Sequence, residues 1–297
     1  MSIVLTSPGP DELGPVVDAL RRWQRDDAPV QLHPGDIGWA ERHGSRAVAD
    51  ALRVWRDDGR IVAIGFLDGP GLLRTTVAPQ RWSDPALADV VRADIADPEA
   101  GVLPVGRASV EIPAGTALDA ALATSGWSAG EAWTPLVLDL SEPVRIPGGL
   151  RVERVVPGAS SAFTAVHRSA WANATFTDAQ WATMASGVTA RRETGADTAS
   201  MVCLLGRDPD GVPVAGVTVW SAGQGRPGLL EPMGVRADQR GKGHGRAVCR
   251  AAAEALRELG SSAALVCTPS DLRGAVATYR SAGFVALPER RDRTRAA

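Results

Sequence analysis

Three glycines at alternate positions in a strand-to-helix turn restrict this chain more than any other stretch. Residues 229–235 read as an apolar strand and 244–259 as an amphipathic helix. Between them run Arg236-Ala237-Asp238-Gln239-Arg240-Gly241-Lys242-Gly243, continuing into His244-Gly245-Arg246. Glycines let backbone N–H groups converge with no Cβ in the way. The helix that follows points its positive dipole end and its unpaired N–H groups into the same space. An anion fits there, most naturally a pyrophosphate. Lys242 is the only lysine of the chain, and with Arg240 and Arg246 it adds positive charge. Beyond the loop, Val248, Ala251, Ala252, Ala255, Leu256 and Leu259 recur at helical spacing and bury one face before Gly260 ends the helix.

At 297 residues the chain is about twice the size of one domain. The Pro- and Gly-rich run from Glu142 to Gly149 cannot continue a helix or a central strand, so the linker is placed at 143–149. After it the pattern predicts a strand at 150–156, helices to about 184, and a hairpin of 201–205 with 214–220 turned by Asp210-Gly211. The glycine-loop strand and helix come next, then a strand at 263–267 and a helix at 271–282 ended by Gly283. Strands alternating with helices indicate an α/β or α+β domain around one sheet. The first half repeats the order: Asp58-Gly59 precedes a strand as Asp210-Gly211 does, Leu72-Leu73 and Val77 sit like Leu229-Leu230 and Val235 with one residue deleted, and Ser125-Gly126-Trp127 matches Ala282-Gly283-Phe284. A duplicated domain is expected.

Apolar residues make up 44 % and charged residues 22 %, so either half can bury a core. A net charge of −2 without a basic tail offers nothing to nucleic acid or an acidic membrane surface. The N-terminus carries neither a basic leader nor a long apolar run, and no stretch approaches the ~20 apolar residues of a membrane span, so the cytoplasm is the expected location. Cys203, Cys249 and Cys267 form no Cys-x-x-Cys pair and have no His at ligand spacing, so no disulfide framework and no metal site are expected.

Three phosphate loops compete for the glycine segment. A P-loop needs Ser or Thr after Gly-Lys, but Gly243 follows Lys242; a dinucleotide fingerprint needs glycine at 246, where Arg246 stands. The pattern that fits is Arg-x-x-Gly-x-Gly, carried by Arg240, Gly243 and Gly245. In this it resembles the coenzyme A loop of the GNAT N-acetyltransferases. A second element, Ala275-x-x-x-Tyr279-x-x-x-Gly283-Phe284, lies about 35 residues downstream and is similar to the Tyr-x-x-x-Gly-Phe signature of that family; Tyr279 is the only tyrosine. The resemblance spans about 140 residues. It implies an α+β fold of two tandem GNAT-like domains, each a mixed central β-sheet flanked by helices: a degenerate, non-catalytic domain at 1–142 and a catalytic one at 150–297. Acetyl-CoA would be the cosubstrate, held by Val235, Arg240, Gly241, Lys242, Gly243, His244, Gly245 and Arg246. One departure is Leu272, where family members often carry an Asn that contacts the cofactor.

The same resemblance implies direct acyl transfer to a primary amine of a small molecule or peptide, by a monomer or a homodimer. Glu231, in the strand before the loop, is the candidate base, because the following Pro232 distorts a regular strand and can turn the carboxylate toward the site; a salt bridge to an arginine is the alternative reading. The Val235 N–H would face the thioester oxygen, and Tyr279 would hydrogen-bond the departing thiolate. In the first half, residues 78–85 have no glycine to open a cradle, and Leu122 stands where Tyr279 stands in the second. For the acceptor, Trp171 and Phe176 are the candidate contacts, with His167, Asn173 and Trp181 nearby, although aromatic residues on helices also pack into cores. A coenzyme A sensor without turnover and a nucleotide-dependent enzyme are the rival readings.

Overall fold

The computed structural model describes residues 3–193 and 200–296. Its strands are β1 (Ile3–Thr6), β2 (Leu52–Asp57), β3 (Arg60–Leu67), β4 (Leu72–Val77), β5 (Ala108–Glu111), β6 (Ser128–Asp139), β7 (Arg151–Arg154), β8 (Ser200–Arg207), β9 (Pro213–Ser221), β10 (Gly228–Val235), β11 (Ala263–Pro269), β12 (Val285–Ala286) and β13 (Arg290–Arg295). The helices are α1 (Leu13–Trp23), α2 (Pro34–Ala40), α3 (Ser45–Ala51), α4 (Pro85–Ala96), α5 (Ala117–Ala123), α6 (Ser161–Trp171), α7 (Asp178–Glu193), α8 (His244–Glu258) and α9 (Arg273–Ser281). No helix among the described residues is long and apolar enough to cross a membrane.

The second half follows the expected order closely. The turn at Asp210-Gly211 joins β8 to β9, with Gly211 at φ +82°, a left-handed value that glycine tolerates without strain. The first half runs through the same series, and its Asp58-Gly59 turn is also left-handed. The strand order β1-β2-β3-β4-β5-β13-β6-β11-β10-β9-β8-β7 therefore mirrors itself about its centre, with the parallel pair β4–β5 answering the parallel pair β10–β11.

What the pattern of residues does not disclose is an exchange of strands at that centre. β6, from the first half, pairs antiparallel with β11 along Ala263↔Asp139 to Pro269↔Trp133. β13, from the end of the second half, lies between β5 and β6. The sheet is thus continuous across the 143–149 segment. Leu136 of β6 is fully buried and joins the core of the second half with Val248, Leu256 and Tyr279. β13 carries four arginines and no apolar residue; besides its ladders it is held by ion pairs of Arg290 to Glu111 (3.2 Å) and Arg293 to Asp119 (2.7 Å) and by hydrogen bonds such as Trp133 Nε1 to Asp292 (3.1 Å).

A second junction lies on the sheet face. α2 of the first half sits on the fully buried Trp220 of β9, and a Cβ at Gly35 or Gly38 would stand well inside contact distance of that side chain. His33 caps α2 through Nδ1, which accepts from the Gly35 N–H (2.9 Å), while Nε2 lies 3.2 Å from the Pro227 carbonyl just before β10. Gly38→Val is expected to overpack this contact and lower unfolding stability by about 1–3 kcal/mol, read from the midpoint of a urea melt; an unchanged midpoint would show that α2 yields freely.

Candidate active site

The site forms where β10 leaves β11. Their parallel pairing is confined to Gly228↔Ala264 and Leu229↔Leu265. On the other edge of β10 the register with β9 slips between Leu230 and Met233, so Glu231-Pro232 holds one residue more than its partner strand. The two distortions splay β10 from β11 and open a cleft of about 840 Å³. Its walls come from Glu231, Met233 and Val235 of β10, Val266, Cys267 and Thr268 of β11, Thr278 and Tyr279 of α9, Trp171 of α6, and the glycine loop.

The loop glycines serve two different ends. Gly241 (φ +78°) and Gly243 (φ +84°) are left-handed, and no atom lies within 4 Å of where a Cβ would stand, so the main chain is bare there. Gly245 has another cause: a Cβ would run into Thr278, and its absence lets α8 pack against α9. Gly243 is the residue preceding α8, and the N–H groups of His244, Gly245 and Arg246 find no acceptor among the described residues. His244 and Arg246 line the cleft. Lys242 does not: its ammonium donates to Gln239 Oε1 (2.8 Å). Arg240 lines the cleft while Nη2 donates to the Ala170 carbonyl (2.7 Å), tying the loop to the end of α6. A bare main chain, a helix N-terminus and flanking cations along one cleft fit the diphosphate of coenzyme A. Among the described residues no group of three His, Cys, Asp or Glu side chains gathers as a metal ion requires.

Three of the residues singled out from the sequence, Val235, Tyr279 and Glu231, line this cleft. The Arg236 N–H donates to the Val214 carbonyl (2.9 Å), and the alternation of an antiparallel ladder turns the Val235 N–H the opposite way, toward the gap left by β11. Tyr279 is 6 % exposed, packs edge-on against Phe284 with ring centroids 5.8 Å apart, and its hydroxyl has no hydrogen bond among the described residues. Burial first, then the neighbouring Cys249, Glu231 and Cys267, push its pKa well above the ordinary 10, so the phenol stays protonated and acts as a donor. Glu231 is part-exposed; its carbonyl accepts from Trp220 Nε1 (2.7 Å) and its carboxylate stands 3.8 Å from Arg74 of the first half. Both readings of this residue thus coincide, a cleft position and an arginine neighbour.

Trp171 is 44 % exposed on the cleft wall and covers Gly234, where a Cβ would strike its ring. Phe176, expected beside it, is 2 % exposed and away from the cleft, packed on Trp39 (5.0 Å) and His167 (4.6 Å). The ring lies in the core beneath α6 and α7, so the structure corrects its expected contact with the acceptor. His167 stacks on Trp171 (4.5 Å); burial holds its pKa down to about 4, and Nδ1 is buried without a partner. Cys267 and Arg74 were not singled out from the sequence. Burial pushes the Cys267 thiol up to about 11, so it is neutral and no nucleophile, although it lines the cleft.

The matching place in the first half is closed. β4 pairs with β3 without a register slip, and with β5 one step further, to Arg74↔Glu111. Arg74 Nε donates to Glu111 Oε2 (2.9 Å), bridging the strands where β10 and β11 have separated. The fully buried Leu122 occupies the position answering Tyr279.

Residues 165–284 match the model of the acetyltransferase (GNAT) family. Solved structures share the fold along the whole chain. A tandem GNAT protein from the clavulanic acid biosynthesis pathway is 16 % identical, with a TM-score of 0.60 over 99 % of this chain and 98 % of that one. A GCN5-related N-acetyltransferase from Sphaerobacter thermophilus is 17 % identical, with a TM-score of 0.58 over 99 % and 95 %. A GNAT-family acetyltransferase from Colwellia psychrerythraea is 14 % identical, with a TM-score of 0.57 over all of both chains. At these identities the likeness concerns the fold. No curated protein matches the chain significantly in sequence.

Proposed function

Because residues 165–284 match the model of the acetyltransferase (GNAT) family, we propose that this chain transfers the acetyl group of acetyl-CoA directly to a primary amine, with the chemistry in 150–297 and none in 1–142. The observation that carries the reading is the convergence of the bare loop at Gly241 and Gly243, the Val235 N–H, the Glu231 carboxylate and the Tyr279 phenol on one cleft. Acetyl-CoA supplies an acyl carbon already activated as a thioester. The chain's own residues supply the rest.

A primary amine with a pKa near 10 is protonated at neutral pH, and freeing its lone pair costs about 4 kcal/mol. Glu231, directly or through a water, takes that proton, and the nitrogen then bonds to the acyl carbon. The Val235 N–H faces the oxygen that gains charge as the bond forms, and a fixed donor of this kind is most effective in a site closed to water. When the carbon–sulfur bond breaks, the nitrogen gives up its second proton to solvent, the sulfur leaves with the electron pair, and the Tyr279 hydroxyl donates a hydrogen bond to it. Its raised pKa makes full proton transfer to a thiolate more uphill than for an ordinary phenol, so stabilisation by hydrogen bonding is the role the site supports. A covalent acyl-cysteine is disfavoured, since Cys267 is held neutral by burial.

The test is release of free thiol from acetyl-CoA with a panel of primary amines. Turnover with at least one amine supports the reading; binding without thiol release from any amine makes the chain a coenzyme A sensor. In the active assay, Tyr279→Phe should lower turnover at least about tenfold with coenzyme A affinity unchanged. An unchanged rate removes Tyr279 from the chemistry.

A further inference from the structure

We propose that the first half is a working part of the active site, and that Arg74 is the positioning residue through which it orients the Glu231 carboxylate. The inference rests on the reading of Glu231 as the base. Leu72-Leu73-Arg74 on β4 answers Leu229-Leu230-Glu231 on β10, so the mirrored sheet places the two equivalent residues face to face, Nη1 3.8 Å from Oε1. In the first half this position carries no acid; it carries the cation that meets the acid of the other half.

Arg74 is well fixed for such a role. Its guanidinium is mostly buried, with Nε on Glu111 Oε2 (2.9 Å) and Nη1 on Asp36 Oδ1 (2.9 Å). Glu111 is held in turn by Arg290 of β13 (3.2 Å), and Asp36 by the His33 N–H (2.6 Å). Asp36 lies on α2, the helix seated on Trp220, and the Trp220 indole holds the Glu231 carbonyl. The Glu231 main chain is therefore held by a hydrogen bond from Trp220, and its carboxylate faces a cation that the docked first half keeps in place. Nη1 also lies 3.7 Å from Asp68 Oδ2, so the planar guanidinium serves four carboxylates, Glu231 among them, in a fixed geometry that an ammonium cannot keep. This is what distinguishes a positioning role from mere charge.

The test is a double-mutant cycle on the full chain, with kcat for the best amine and the denaturation midpoint measured for each variant. Arg74→Lys should lower kcat about tenfold in the wild-type background and less than about twofold in a Glu231→Gln background, because a residue acting through Glu231 has nothing left to act on. If Glu231→Gln itself keeps wild-type turnover, the base assignment fails and the inference with it. If Glu231→Gln is impaired but Arg74→Lys costs the same factor in both backgrounds, or nothing in either, the base assignment stands and Arg74 is structural. Should Arg74→Lys not fold, Arg74→Gln combined with Glu111→Gln removes both charges of that pair together and enters the same cycle with the same outcomes.

Discussion

Gly243→Val is expected to weaken coenzyme A binding at least about 100-fold by titration calorimetry, while α8 and the global fold persist. Gly243 sits at φ +84° immediately before the first residue of α8, a conformation that a β-branched residue strongly resists. The new side chain would meet no protein atom within 4 Å of its Cβ, so the fold has no reason to collapse around it. The space it fills is the space over the bare main chain, where the N–H groups of His244, Gly245 and Arg246 are unspent. Two effects therefore add on the ligand and spare the protein: the loop is strained out of its anion-binding shape, and the diphosphate is kept at a distance. Retained affinity would mean that the anion binds elsewhere. Gly245→Val would not serve as the same test, since its side chain collides with Thr278 and disturbs the α8–α9 contact directly.

The second large effect concerns acid stability and centres on His33. This ring is 2 % exposed, and burial, the leading cause, brings its pKa down to about 3 from an ordinary 6.5. The folded protein keeps it neutral where the unfolded chain takes up a proton, so its contribution is complete above about pH 6.5 and is lost as pH falls toward 3. The loss amounts to about 1.4 kcal/mol per pH unit in that window. Asp36, whose burial raises its proton affinity, works in the opposite sense, so the comparison with a variant isolates the histidine. His33→Asn retains a side chain that caps α2 but carries no titrating group. Between pH 6.5 and 4.5 the wild type should lose about 2.3 kcal/mol more than His33→Asn by urea denaturation, the unfolded histidine being half protonated already at the upper limit. Equal slopes would show that the His33 ring reaches solvent before the halves separate.

Much of the second half was open to reading from residues alone, because its signals are local. Alternate glycines demand left-handed φ at Gly241 and Gly243, apolar spacing from Val248 to Leu256 demands a buried helix face, and Gly211 demands a turn. Each requirement is met by neighbours in the chain, and so is the spacing that sets Tyr279 one turn before Gly283. The side chain of Lys242 is another matter: its ammonium rests on Gln239. A backbone angle is specified by its own residue; where a long side chain ends is specified by whatever lies around it.

What the tertiary structure alone decided is how the halves meet. Neither the exchange of β6 and β13 nor the approach of Arg74 to Glu231 has any local signature, since the partners are separated by 157 residues in the latter case and pair through ladder hydrogen bonds open to any sequence in the former. β13, with its arginines and no apolar side, reads as a polar tail until Glu111 and Asp119 are placed around it. Phe176 likewise reads as a ring for a ligand until the core between α6 and α7 claims it. The residues of this chain prescribe a loop of bare main chain and a lone phenol. Long-range burial and charge pairing prescribe which carboxylate, cation and thiol stand beside them.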